Sequence, residues 1–80
     1  MTNLELAQDP NTTPEILKTL ATDDDSGVCW RVAEHPNTTP EILKSLATDD
    51  DYGVRYNAAH HPNATELVRR LFLMTQAKVS

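Results

Sequence analysis

A nine-residue run, Pro10-Asn11-Thr12-Thr13-Pro14-Glu15-Ile16-Leu17-Lys18, recurs as Pro36-Asn37-Thr38-Thr39-Pro40-Glu41-Ile42-Leu43-Lys44, so the chain repeats itself with a period of 26 residues. Residues 10–33 and 36–59 agree at 18 of 24 positions, too long a match for chance. A period of this size is the signature of stacked repeats, in which each unit buries its apolar face only against its neighbours. A third copy opens at Pro62-Asn63 and lacks the second proline. With that one-residue deletion, Glu66-Leu67-Val68-Arg69-Arg70-Leu71 falls on Glu41-Ile42-Leu43-Lys44-Ser45-Leu46. The array also starts mid-repeat, because Leu4-Glu5-Leu6-Ala7 takes the slot of Trp30-Arg31-Val32-Ala33. The expected units are a partial repeat 1–9, repeats 10–35 and 36–61, and a capping helix 62–80, all within one domain, 1–80.

Each repeat reads as two short helices. In the leading helix, about residues 14–22, Thr13 is a good N-cap, Pro14 suits the first helical position and Glu15 favours the positive end of the helix dipole. Ile16, Leu17, Leu20 and Ala21 then share one face. The run Asp23-Asp24-Asp25 breaks the pattern and offers an N-cap to a trailing helix, about residues 26–34. Val28, Cys29, Val32 and Ala33 form its apolar face. His35-Pro36-Asn37 ends it, since a residue before proline avoids the α region and proline cannot continue the helix. Helices of nine residues do not persist alone in water, so stacking must stabilise them. The expectation is an all-α chain, a short α-solenoid of about two and a half helical-hairpin repeats.

The pattern Val-Arg-x-x-(Val/Ala)-Ala-x-(His/Asn)-Pro-Asn-x-x-Pro-Glu-(Ile/Leu)-Leu-x-x-Leu-Ala-x-Asp resembles the variant leucine-rich repeat. Val54-Arg55-Tyr56-Asn57-Ala58-Ala59-His60-His61-Pro62-Asn63 and Pro40-Glu41-Ile42-Leu43-Lys44-Ser45-Leu46-Ala47-Thr48-Asp49 carry it. The resemblance covers nearly the whole chain. It implies a right-handed superhelix in which α-helices alternate with short 3₁₀ helices, and it leaves open which helix is the tighter one. It implies no catalytic residues. Some members are preceded by a cysteine-rich segment holding an iron–sulfur cluster, which this chain lacks, so no cofactor is expected.

Composition narrows the function. The net charge of −5 disfavours nucleic acid and anionic membrane surfaces, both of which are bound largely through Lys and Arg. Cys29 is the only cysteine, which excludes an intramolecular disulfide and a four-cysteine metal site. No apolar run approaches a membrane span, and Met1 to Gln8 do not form a signal peptide. A cytoplasmic protein is the default expectation.

Five of the six differences between the full repeats fall on the trailing helix, among them Cys29/Arg55, Trp30/Tyr56, Arg31/Asn57 and Val32/Ala58. Tyr52, Tyr56 and His60 form one stripe at i, i+4, i+8, and Ser26, Trp30 and Glu34 form a parallel one. Leu4, Trp30 and Tyr56 should align across successive repeats. Trp30, Arg31, Glu34, Tyr52, Tyr56 and His60 are therefore the candidate protein- or peptide-binding residues. The competing expectation is that Trp30 and Tyr56 pack between repeats. The Asp triplets suit helix capping better than a calcium loop, which alternates its carboxylates. His35 and His61 stand one repeat apart, too far to share a zinc ion, and better suit capping of the carbonyls that end the trailing helix or a place facing solvent. No nucleophile–base constellation and no Gly-rich phosphate loop is present, so an enzyme is not expected. The glycines Gly27 and Gly53 should relieve crowding at the start of the trailing helix. At the C-terminus Leu67, Val68, Leu71 and Phe72 match core slots, whereas Leu73 and Met74 extend past them and mark a homodimer or partner contact. The alternative function is structural, a capping or oligomerisation element of a helical-repeat assembly.

Overall fold

The two kinds of helix begin where the capping chemistry places them. A computed structural model describes the backbone of residues 1–79 and the side chains of residues 1–75. Its elements are α1 (Asn3–Gln8), α2 (Pro14–Leu20), α3 (Ser26–Glu34), α4 (Pro40–Leu46), α5 (Tyr52–Ala59) and α6 (Glu66–Val79). Among the described residues there is no strand. The chain is all-helical, and the capping unit assigned to 62–80 ends at Ser80, outside the described residues. Pro14 and Pro40 each occupy the first helical turn. Asp25 and Asp51 cap α3 and α5 by accepting from Gly27 N at 2.8 Å and Val54 N at 3.1 Å. α1 opens with a capping box, in which Thr2 and Glu5 satisfy one another's backbone N–H.

α3 lies between α1 and α5, and these are the most extensive helix–helix contacts. The core runs through all the units: Leu17 and Leu20 of α2, Val28, Cys29, Val32 and Ala33 of α3, Ile42, Leu43 and Leu46 of α4, Val54 and Ala58 of α5, and Val68 of α6. The predicted apolar faces of α3 and α5 are thus the buried ones. The resemblance's short 3₁₀ helices are not present as separate elements, since both helices of each repeat are α. Tighter winding survives as tails at the helix ends, where Asp23 N and Asp49 N reach back three residues to Leu20 O and Leu46 O, and His35 N and His61 N do the same to Val32 O and Ala58 O.

Two core expectations fail, both at the ends of the array. Ile16 is 40% exposed while its counterpart Ile42 is 5% exposed. Ile42 faces α2 across the groove it lines, and the structure describes no leading helix in the corresponding place beside Ile16. Leu67 is also exposed, because α6 packs on both α4 and α5 and its buried arc is Val68, Leu71 and Phe72. Leu67 stands outside that arc.

Polar side chains fasten each repeat to the one before. His61 Nδ1 accepts from Asn63 N at 2.9 Å, so its Nε2 carries the proton and donates to His35 O at 2.7 Å. His35 repeats the arrangement, accepting from Asn37 N at 3.0 Å and donating to Asp9 O at 2.7 Å. Asn37 and Asn63 donate to the carbonyls of Thr12 and Thr38, at 3.1 and 3.0 Å. Thr12 and Thr38 donate to Leu6 O and Val32 O, each at 2.6 Å. The histidines do reach helix-terminal carbonyls, but those of the preceding repeat. Among the described residues no helix is long and apolar enough to cross a membrane.

Candidate binding surface

The six candidate residues lie on α3 and α5 or at the end of α5, and all are exposed. Leu4, Trp30 and Tyr56 are 41%, 41% and 44% exposed, the equal exposure expected of one slot repeated along a ladder. The packing expectation is also partly met. The Trp30 ring lies over Gly53, where a Cβ would fall among the ring atoms. Gly27 differs: a Cβ there would meet only the Asp25 side chain, at 3.1 Å. The crowding expected at both glycines is therefore an aromatic contact only at Gly53. Trp30 packs one surface on α5 and leaves the rest open.

The second stripe is likewise shared between packing and solvent. Tyr56 stacks on His60 at 4.0 Å between ring centroids and lies 6.0 Å from Tyr52. Phe72 of α6 stands 6.2 to 6.3 Å from all three rings. Phe72 therefore joins an aromatic cluster with α5 rather than only filling an alanine-sized core slot. His60 Nδ1 also lies 2.9 Å from Tyr56 O, which holds the ring just past the end of the helix. Arg31 and Glu34 form an exposed ion pair at 3.4 Å, a contact of small energetic weight. The geometry brings Tyr52, Tyr56 and His60 together and sets Trp30 against the first turn of α5.

The remaining chemistry-bearing groups are engaged. Burial, followed by the charges of Asp49, Asp23 and Asp25, pushes the Cys29 thiol up. Its Sγ lies 3.3 Å from Asp23 O. Such a thiol is a poor nucleophile. An iron–sulfur cluster takes four thiolates, and a lone buried cysteine does not fit one. In the Asp triplets, Asp23 and Asp49 accept from the backbone N–H two residues on, and the third aspartates are caps. The Asp25 N–H, then the Asn3 amide, hold the Asp23 carboxyl below the usual carboxylate range. Among the described residues no group of three or more His, Cys, Asp or Glu side chains could hold a metal ion.

Sequence reasoning passed over Arg55, which is buried in the Cys29 slot and donates to Asp49 O and Asp50 O at 2.7 and 2.9 Å. The signal was its position on the apolar face, which a charged residue enters only with partners. It also passed over the amide Nδ2 of Asn57, buried with no hydrogen-bond partner among the described residues.

A model of the leucine-rich repeat variant domain matches residues 2–62, three quarters of the chain and both full repeats. The chain belongs to the leucine-rich repeat variant family. No curated protein and no solved structure matches it. The family match ends at the turn that leads into α6, so the helix carrying Phe72 lies beyond the matched part of this leucine-rich repeat variant protein.

Proposed function

We propose that this protein is a non-catalytic module that binds a protein or peptide across the exposed sides of α3 and α5, through Trp30, Arg31, Glu34, Tyr52, Tyr56 and His60. The observation that carries the reading is the concentration of three large half-exposed rings, Trp30, Tyr52 and Tyr56, on two adjacent helices whose core faces are already filled. Aromatic rings held in place by their own packing supply anchor energy at little entropic cost. Right-handed stacking of two and a half repeats would put α1, α3 and α5 on one continuous side. Their close mutual packing, beside the open groove between α2 and α4, suits the inner side of a curve. The net charge of −5 favours a partner other than nucleic acid.

The test compares proteins retained from a lysate of the source cells by wild type and by a Trp30→Ala/Tyr56→Ala variant, with a circular-dichroism melt confirming that the variant is folded. Specific retention lost in the folded variant supports the face. Equal retention by both removes it.

A further inference from the structure

The groove between α2 and α4 shows how one repeat receives the next. From the α2 side it is lined by Lys18, Ala21 and Thr22, and from the α4 side by Glu41, Ile42 and Ser45. With the one-residue deletion in the third copy, Lys18, Ala21 and Thr22 correspond to Arg69, Phe72 and Leu73 of α6. Those three residues line another pocket, closed on its other side by Ala59 and His60. The α6 side of this pocket thus repeats the α2 side of the groove that Ile42 lines. The counterpart of the α4 side stands at the other end. Ile16 and Glu15 are the counterparts of Ile42 and Glu41, and Ile16 is exposed where Ile42 is buried.

Charge and polarity agree with this assignment. Inside the protein, Lys18 lines the groove opposite Glu41. At the ends, Arg69 on the pocket faces outward and Glu15 is exposed beside Ile16. Leu73 replaces the Thr22 hydroxyl with an exposed isobutyl group, which makes the terminal pocket more apolar than the internal groove. α6 is a leading helix and α1 a trailing one, so α1 of a second copy continues the alternation.

We propose that copies of this protein associate head to tail, with Ile16 of one copy seated between Phe72 and Leu73 of the next and Glu15 facing Arg69. It does not require the proposed binding face on α3 and α5 to bind a partner, although the pocket shares His60 with that face. It refines the homodimer expected at Leu73 and Met74. These two residues stand about 100° apart on α6, so they do not share one contact, and only Leu73 lines the pocket. The interface joins unlike surfaces and therefore does not close at two copies. The protein measures 39 × 22 × 15 Å, so an end of 22 × 15 Å offers about 330 Å² per copy, below the size of a stable interface. The association is accordingly weak and concentration-dependent.

Sedimentation equilibrium of the full chain up to about 1 mM tests it. Wild type should show a weight-average mass rising above 8.9 kDa without a plateau at the dimer. Ile16→Glu and Leu73→Asp change exposed residues at opposite ends, and a circular-dichroism melt checks that both are folded. Each alone should stay monomeric. Mixed, they should form one-to-one pairs and nothing larger, because each retains the half that the other lost. Wild type remaining at monomer mass overturns the proposal. So does association of Ile16→Glu alone, which points to a two-fold contact around Leu73, or a mixture that stays monomeric.

Discussion

Adding one methyl group at Gly53 should harm this fold, although glycine to alanine in a helix ordinarily helps it. Gly53 is the second residue of α5, where the substitution should return at most about 1 kcal/mol of helix propensity. The new Cβ, however, would fall among the Trp30 ring atoms. The ring would have to leave its seat. Overpacking of this kind costs about 1–3 kcal/mol, and overlap with three Trp30 ring atoms puts this case in the upper part of that range, so Gly53→Ala should be destabilised by about 1–2 kcal/mol net. For a domain of this size that lowers Tm by roughly 4–15 °C. Gly27→Ala is the internal control. Its Cβ would meet only Asp25 Oδ1 at 3.1 Å, and displacing that carboxylate weakens the cap on Gly27 N. Propensity gain and cap loss are of similar size, so Gly27→Ala should lie within about 0.5 kcal/mol of wild type. Thermal melts give the stabilities. Emission from Trp30, the only tryptophan, should shift to the red in Gly53→Ala alone. A Gly53→Ala protein as stable as wild type with unchanged emission would refute the contact.

Thr38→Val keeps the shape of a fully buried side chain and removes the hydroxyl that donates to Val32 O. Because the His35 N–H still serves that carbonyl, the loss in a urea titration should be about 1 kcal/mol. Arg55→Met leaves Asp49 O and Asp50 O without their charged donor and should cost about 2–3 kcal/mol in the same assay, far more than Arg31→Met on the exposed pair. The Cys29 thiol is pushed up in the folded state and titrates normally when unfolded. Its contribution is therefore full below about pH 8.5 and lost as pH rises through the folded value. Melts from pH 7 to 10 should show wild type losing stability relative to Cys29→Ala only above about pH 8.5, and a parallel pair of curves would contradict this.

How much was legible depended on whether the cause was local. The bounds of α3 were expected to the residue, because Asp25 as cap and His35-Pro36 as terminator act within a turn or two. The leading helix was read two residues too long, since Ala21 and Thr22 belong to the tightened tail. Ile16 and Ile42 sit in identical local sequence, so nothing local could separate their burial. Only the presence of α2 beside Ile42 does so. Leu67 was misplaced for the same reason, as its exposure follows from how α6 lies across two helices. Trp30 was read as either exposed or packed because a ring lying on a glycine is both.

The histidine and asparagine fastenings at the turns between repeats run one way, while at the N-terminal end the Asn3 amide donates forward to Asp23 Oδ2 at 2.8 Å. His61 and Asn63 give their protons to carbonyls at 35 and 38, and His35 and Asn37 give theirs to carbonyls at 9 and 12. Cutting the array at its C-terminal side removes donors and bares carbonyls that water can serve. Cutting it at the N-terminal side removes acceptors and bares the His35 imidazole and the Asn37 amide, which water can serve as well. Such an array has a grain: at these joints the donors sit on the later unit and the acceptors on the earlier one. During synthesis each new repeat meets its acceptors already in place, so the order in which the ribosome releases the units is the order in which they can lock.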